Sequence, residues 1–232
     1  MDAEQLVAVA ALAEPTRRWL YEHVVRSTDP VGRDEAAAAA GVPRATAAFH
    51  LDRLVDDGLL EAVFARRGGR SGPGAGRPAK LYRRSGCQVT VSLPERRYDL
   101  AGQLLAAALD EADRSGEPPR AILDRRAHEL GARLGRAAAG DPPGSPAANR
   151  GTALRVLEEH GFEPRAEDGG VALANCPFHV LAREHTELVC GMNLRLVEGM
   201  LDALAPTGLT GRLHPMVGRC CVRLDPSKNS DR

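Results

Sequence analysis

Four of the five cysteines in the 232-residue chain fall within its last 57 residues. Asn175-Cys176-Pro177 is followed, after thirteen intervening residues, by Val189-Cys190. Gly218-Arg219-Cys220-Cys221 comes after twenty-nine more. His179, His185, His214, Arg219 and Arg223 crowd the same segments. A thiolate beside positive groups is stabilised and becomes a good metal ligand. Cys176, Cys190 and the Cys220-Cys221 pair are therefore candidate metal-ligating sites. There is no C-x2-C pair, so the pattern is not a zinc ribbon. Cys176-Pro177-Phe178-His179 does offer a C-x2-H pair that zinc accepts. Separated thiolates gathered by folding also suit an iron–sulfur cluster. The plain alternative is a set of small buried hydrophobes with no metal. Cys87 stands apart and reads as structural.

A second chemistry is concentrated between Pro43 and Arg84. This stretch holds nine Lys or Arg against four Asp or Glu, although the whole chain has a formal net charge of zero. Residues 44–57 carry Ala47, Ala48, Leu51, Leu54 and Val55 at helical spacing, so that face can bury. Arg44, Thr46, His50 and Arg53 are expected on the opposite face, where their donors would meet base edges and phosphates in a major groove. Arg66, Arg67, Arg70, Arg77, Lys80, Arg83 and Arg84 follow as seven positive charges. Contacts of this type with phosphate release counterions and make affinity fall with salt. The candidate DNA-binding residues are thus Arg44, Thr46, His50, Arg53, Arg67, Arg70, Arg77 and Lys80.

These residues need elements to hold them. Two short helices are expected over residues 3–27, with Pro15 in the first turn of the second. A helix at 34–40 is expected to be capped by Asp34, then Gly41-Val42-Pro43 makes a turn into the helix at 44–57. Leu59–Arg66 and Ala79–Arg84 read as strands flanking a Gly- and Arg-rich loop. Amphipathic helices are expected at 99–115 and 119–139, and Asp141–Pro146 reads as a linker. Beyond it come a helix near 148–160, a strand at 171–173, helix through 178–204, and short strands near 209–213 and 219–224. The fold class is α+β. A winged helix-turn-helix at 1–85 is followed by a helical connector with a dimerising role at 86–146 and a small α+β domain at 147–232.

The order helix, turn, helix, basic hairpin resembles the winged-helix repressors of the ArsR and SufR kind. The resemblance is carried by Leu12-Ala13-Glu14-Pro15-Thr16-Arg17-Arg18, Ala39-Ala40-Gly41-Val42, His50-Leu51-Asp52-Arg53-Leu54, Asp57-Gly58-Leu59-Leu60 and Gly76-Arg77-Pro78-Ala79-Lys80-Leu81-Tyr82. It implies a homodimer binding double-stranded operator DNA at inverted repeats. Asn175-Cys176, Val189-Cys190 and Arg219-Cys220, with the helix Met192–Leu201 between, resemble the sensor region of SufR-type iron–sulfur repressors. That resemblance singles out Cys176, Cys190 and Cys220 as ligands and favours an iron–sulfur cluster as cofactor, with zinc as the alternative. Such repressors carry a further cysteine in the stretch corresponding to Leu204-Ala205-Pro206-Thr207, and this sequence has none. The fourth ligand is left among His179, Cys221, another histidine and an exogenous molecule.

Composition bounds the remaining classes. Apolar residues make up 43% of the chain but aromatics only 3%, so the core must be aliphatic. No apolar run approaches the ~18–20 residues of a membrane span. The acidic start Met1-Asp2-Ala3-Glu4 lacks the plan of a secretory signal. The expectation is a cytoplasmic protein with no membrane partner, whose cysteines are thiols or metal ligands rather than disulfides. A nucleophile drawn from Cys176 with His179, or Cys190 with His185, lacks an orienting group and an oxyanion site. The Gly-rich loop lies between strands and is no phosphate-binding loop. The chain therefore reads as a regulator, with an organic ligand for the second half as an alternative, rather than as an enzyme.

Overall fold

The computed structural model describes residues 3–65, 78–140, 144–216 and 218–227. They form two compact units, Met1–Val91 and Ser92–Arg232.

The first unit begins with α1 (Ala3–Ala11) and α2 (Pro15–Arg26). Glu14 starts α2 because its carboxylate accepts from Thr16 N at 3.0 Å and Arg17 N at 2.6 Å, while Pro15 takes the first helical position. A short strand β1 (Val31–Gly32) leads into α3 (Arg33–Ala40). The cap residue of α3 is Gly32, which makes no side-chain cap, so the capping expected of Asp34 is not found. Asp34 lies inside the first turn, and its carboxylate instead pairs with Arg44. Gly41 ends α3 at φ 65°, a left-handed conformation that glycine adopts without a Cβ penalty. Pro43 caps α4 (Arg44–Asp56). Strands β2 (Leu60–Ala65) and β3 (Ala79–Arg84) pair antiparallel, and β1 adds to the other edge of β3. Leu20, Val24, Ala36, Ala47, Leu51, Leu54, Leu60 and Tyr82 form the middle of this unit's core.

The second unit contains α5 (Tyr98–Ser115), α6 (Pro119–Ala138), α7 (Pro146–Glu159), β4 (Pro164–Glu167), β5 (Gly170–Leu173), α8 (His179–Glu184), α9 (Thr186–Ala203), β6 (Leu209–Leu213) and β7 (Val222–Pro226). Its antiparallel sheet has the order β4-β5-β7-β6. Helices α5 and α6, within the range expected as a connector, pack into the second unit. Ala101, Leu104, Ile122, Leu123 and Ala127 share one core with Val156, Phe178, Met192, Val197 and Leu224. The helices α6 and α9 meet through glycine. A Cβ on Gly131 would lie 1.8 Å from the Leu196 carbonyl oxygen, and one on Gly199 would lie 2.0 Å from the His128 oxygen. Backbone meets backbone at this crossing, so neither position has room for a side chain.

Strand β4 was not expected from Pro164-Arg165-Ala166-Glu167, which has no β-branched or aromatic residue. It forms because Asp168 (φ 48°) and Gly169 (φ 77°) turn the chain back onto β5. Asp-Gly is a common hairpin signal. The expected strand near 219–224 begins later, at Val222, so Cys220 and Cys221 precede it.

Candidate nucleic-acid interface and cysteine site

Helix α4 buries Ala47, Leu51 and Leu54 against the first unit's core, which leaves the opposite face to solvent. Arg44, at its first position, is exposed and paired with Asp34; the side chains are 70% and 75% exposed, respectively. Such a pair is weak in water and readily exchanged for a phosphate or a base edge. Thr46 is half-buried. Arg53 is exposed, with its Nε 3.0 Å from Asp57 Oδ2. His50 departs from its expected outward placement. Its side chain is 12% exposed, it accepts from Arg17 Nε at 3.4 Å, and it lies 3.5 Å from Glu14. It therefore packs α4 onto the start of α2. The residue that faces outward one position earlier is Phe49, which is 64% exposed.

Lys80 is also drawn inward. Its Nζ is 2.7 Å from Asp52 Oδ1, while Arg33 Nη2 donates to Asp52 at 2.9 and 3.2 Å and the Tyr82 hydroxyl donates to it at 2.5 Å. Arg33 Nε also donates to Tyr82 at 2.8 Å. One carboxylate on α4 thus ties α3, α4 and β3 together. Burial opposes charging Asp52, but hydrogen bonds from Lys80 and Tyr82 and the nearby cations outweigh it and lower its pKa. Burial, then the bond to Asp52, pushes Tyr82 up to about 12, so it remains a neutral donor. Arg66, Arg67, Arg70 and Arg77 lie outside the described residues. Arg83 pairs with Glu61 across the β2–β3 ladder at 2.5 Å.

In the second unit the four clustered cysteines come together. Cys176 follows β5, Cys190 lies on α9, and Cys220 and Cys221 precede β7; all four are buried. A cavity of about 550 Å³ is lined by Cys176, Cys190 and Cys221 with His179, Arg183 and Arg219. The expectation of reduced thiols fails for one pair, since Cys190 and Cys221 are joined as a disulfide. Folding places α9 beside the start of β7, and that closes a pair separated by 31 residues in sequence. Cys176 and Cys220 are free thiols. Cys220 donates to Cys176, which lowers the pKa of Cys176 despite its burial, and Arg96 adds to the effect. Cys220, the donor, is held well above the ordinary thiol range. Asn193, itself 1% exposed, donates to Cys220 Sγ at 3.2 Å. Cys87, read as structural, is exposed and free.

The donor chemistry of this site fits a thiolate-bound metal or cluster: three sulfurs and a histidine line one cavity, and Cys220, held by the buried Asn193 amide, lies against Cys176. With Cys190 and Cys221 bonded to each other, no group of three or more Cys, His, Asp or Glu among the described residues is arranged to hold a metal ion. Occupancy therefore requires that disulfide to be open.

Residues 12–63 match the family of helix-turn-helix domains. No curated protein and no solved structure matches the chain. The matched stretch runs from the end of α1 through α2, α3 and α4 into β2, so it contains every α4 residue discussed above. This helix-turn-helix domain makes the chain a DNA-binding transcription regulator, with α4 in the place of the recognition helix. No helix among the described residues is long and apolar enough to cross a membrane.

The first unit brings Arg44, Thr46 and Arg53 onto or beside the open side of α4, and engages His50 with Arg17 and Glu14 and Lys80 with Asp52. Phe49 was missed because an aromatic in a helical stretch reads as core. The signal was its position: it lies two residues from both Ala47 and Leu51, off the buried stripe.

Proposed function

We propose that the chain is a cytoplasmic, homodimeric repressor whose second unit reports iron–sulfur or redox status to its operator. Cys176, Cys190 and Cys220 hold the cluster, with Cys221 or His179 as the fourth ligand. The supporting observation is that folding buries all four clustered cysteines together, three of them lining one cavity and Cys220 bonded to Cys176. A bound cluster supplies one-electron redox chemistry and a bridge between the segments before β7, after β5 and on α9. Reduction of the Cys190–Cys221 disulfide by a dithiol, which supplies two electrons and two protons, frees Cys190 for the cluster and Cys221 where it is the fourth ligand, so redox state acts on the same site twice. In the DNA-binding unit, Arg44, Thr46 and Arg53 address the groove, and Arg67, Arg70 and Arg77 supply phosphate contacts. His50 and Lys80 support α4 from within.

The experiment is anaerobic reconstitution of the full chain with iron and sulfide after disulfide reduction. A brown protein absorbing broadly near ~400 nm is expected, with iron and sulfide content lost in Cys176→Ser, Cys190→Ser and Cys220→Ser. Holo and apo forms should bind operator DNA unequally, because a ligand shifts only states it binds unequally. Full iron and sulfide in all three variants, or equal binding by both forms, would sink the reading. A colourless protein with stoichiometric zinc would replace the cluster by zinc. Sedimentation of the full chain tests the dimer.

A further inference from the structure

The chain has only four phenylalanines. Phe162 and Phe178 are buried in the second unit, Phe64 on β2 is 69% exposed, and Phe49 projects from the open face of α4. Leaving most of an aromatic ring in water forgoes the burial that dominates the energetics of such side chains. The positions around it do nothing to cover the ring. Ala45, one turn earlier, is small and exposed, and Arg53, one turn later, is held toward Asp57. The described ring contact is an edge-on approach to its sequence neighbour His50, with centroids 5.3 Å apart. One aromatic on the open face of α4 is far short of the roughly 800 Å² per partner of a stable protein interface. Its surroundings are those of a groove-reading surface: the open face of α4, with Arg53 one turn later and Arg44 at the helix N-terminus before it.

The major groove has one prominent apolar feature, the C5 methyl group of thymine, and phenylalanine is among the side chains that contact it. We infer that Phe49 reads a thymine methyl group in the major groove, and so determines specificity at one base pair of each half-site. This rests on the DNA-binding reading of α4 and adds to it a particular atom on the base. Arginine donors recognise guanine and phosphate. Phe49 contributes what they cannot, discrimination of thymine from cytosine through the methyl group.

The test uses the full-length protein and a duplex of about 30 base pairs, enough for two half-sites, enriched from a random pool by the wild-type chain. Each thymidine is then replaced singly by deoxyuridine, which deletes the methyl and leaves the hydrogen-bonding edge intact. The expected result is one position per half-site where the replacement weakens wild-type binding about fourfold, the scale of one buried methyl group. Phe49→Ala should bind the thymidine duplex more weakly and show no preference for thymidine over deoxyuridine there. Phe49→Leu should keep part of that preference. The inference is overturned if the wild type ignores deoxyuridine at every position, or if Phe49→Ala still discriminates at the same position. It is also overturned if Phe49→Ala weakens selected and unselected DNA equally, or changes the oligomeric state, which would make Phe49 a structural or dimer contact. Circular dichroism melting of the variants separates these outcomes from misfolding. Should no duplex be enriched by the wild type, the DNA-binding reading itself fails, and this inference falls with it.

Discussion

Asp52, on α4, joins three side chains, Arg33 of α3 and Lys80 and Tyr82 of β3, and its removal should affect stability before it affects anything else. Asp52→Asn keeps the shape but loses the charge that Arg33 and Lys80 face at 2.9 and 2.7 Å. Hydrogen bonds to charged groups are worth ~1.5–3 kcal/mol each when dry, but Asp52 is 40% exposed. After discounting for solvent, the expected cost is on the order of 1–2 kcal/mol. Trp19, the chain's single tryptophan, lies in this unit and gives the fluorescence readout. The pH dependence has a defined sign. Since folding lowers the Asp52 pKa from 3.8, its contribution is complete above that value and is lost as pH falls through the lowered one. For Tyr82 the shift is upward, from 10.0 to about 12, so its contribution is complete below the first and lost as pH rises toward the second. Asp52→Asn should flatten the acid side of the stability curve; an unchanged acid limb would show that other carboxylates govern it. At the DNA surface, Arg44→Ala should cost on the order of 1–3 kcal/mol on a selected duplex if the guanidinium reads a base. Equal loss on unselected DNA would restrict Arg44 to phosphate.

Between elements, the crossing of α6 and α9 depends on glycine where the backbones touch. Gly199→Ala must push the helices apart or distort them, and should destabilise the second unit by about 3 kcal/mol or more. Gly102 in α5 and Gly151 in α7 meet nothing within 4 Å of an added Cβ. There the same change should be neutral or stabilising by up to ~1 kcal/mol, because alanine is the better helix former. Chemical denaturation of the three variants compares them directly. If Gly199→Ala and Gly151→Ala behave alike, the close crossing contributes nothing. Glycine inside a helical pattern reads from sequence as a weakness; only the partner backbone shows that it permits contact.

Over the whole molecule, each unit closes its own aliphatic core, and the division falls between Val91 and Ser92. The chains 1–91 and 92–232 should therefore each give a cooperative thermal transition by circular dichroism. A chain 1–91 lacking such a transition would show that its core is insufficient alone. Helical spacing, with Gly and Pro at the boundaries, made the helix-turn-helix legible in the sequence, because those signals act within a few residues of where they stand. The α+β class was legible for the same reason. Spacing says which face of α4 buries, but the directions of His50 and Lys80 depend on Glu14, Arg17 and Asp52, which lie elsewhere in the chain. The cysteines were visible as a cluster in sequence, yet their pairing was not. Cys190 meets Cys221, and Cys176 meets Cys220, only once α9, the segment after β5 and the segment before β7 are packed together. Local sequence determined the elements and their apolar faces. Tertiary packing decided which polar and sulfur groups face one another, since those contacts span dozens of residues and no local period encodes them.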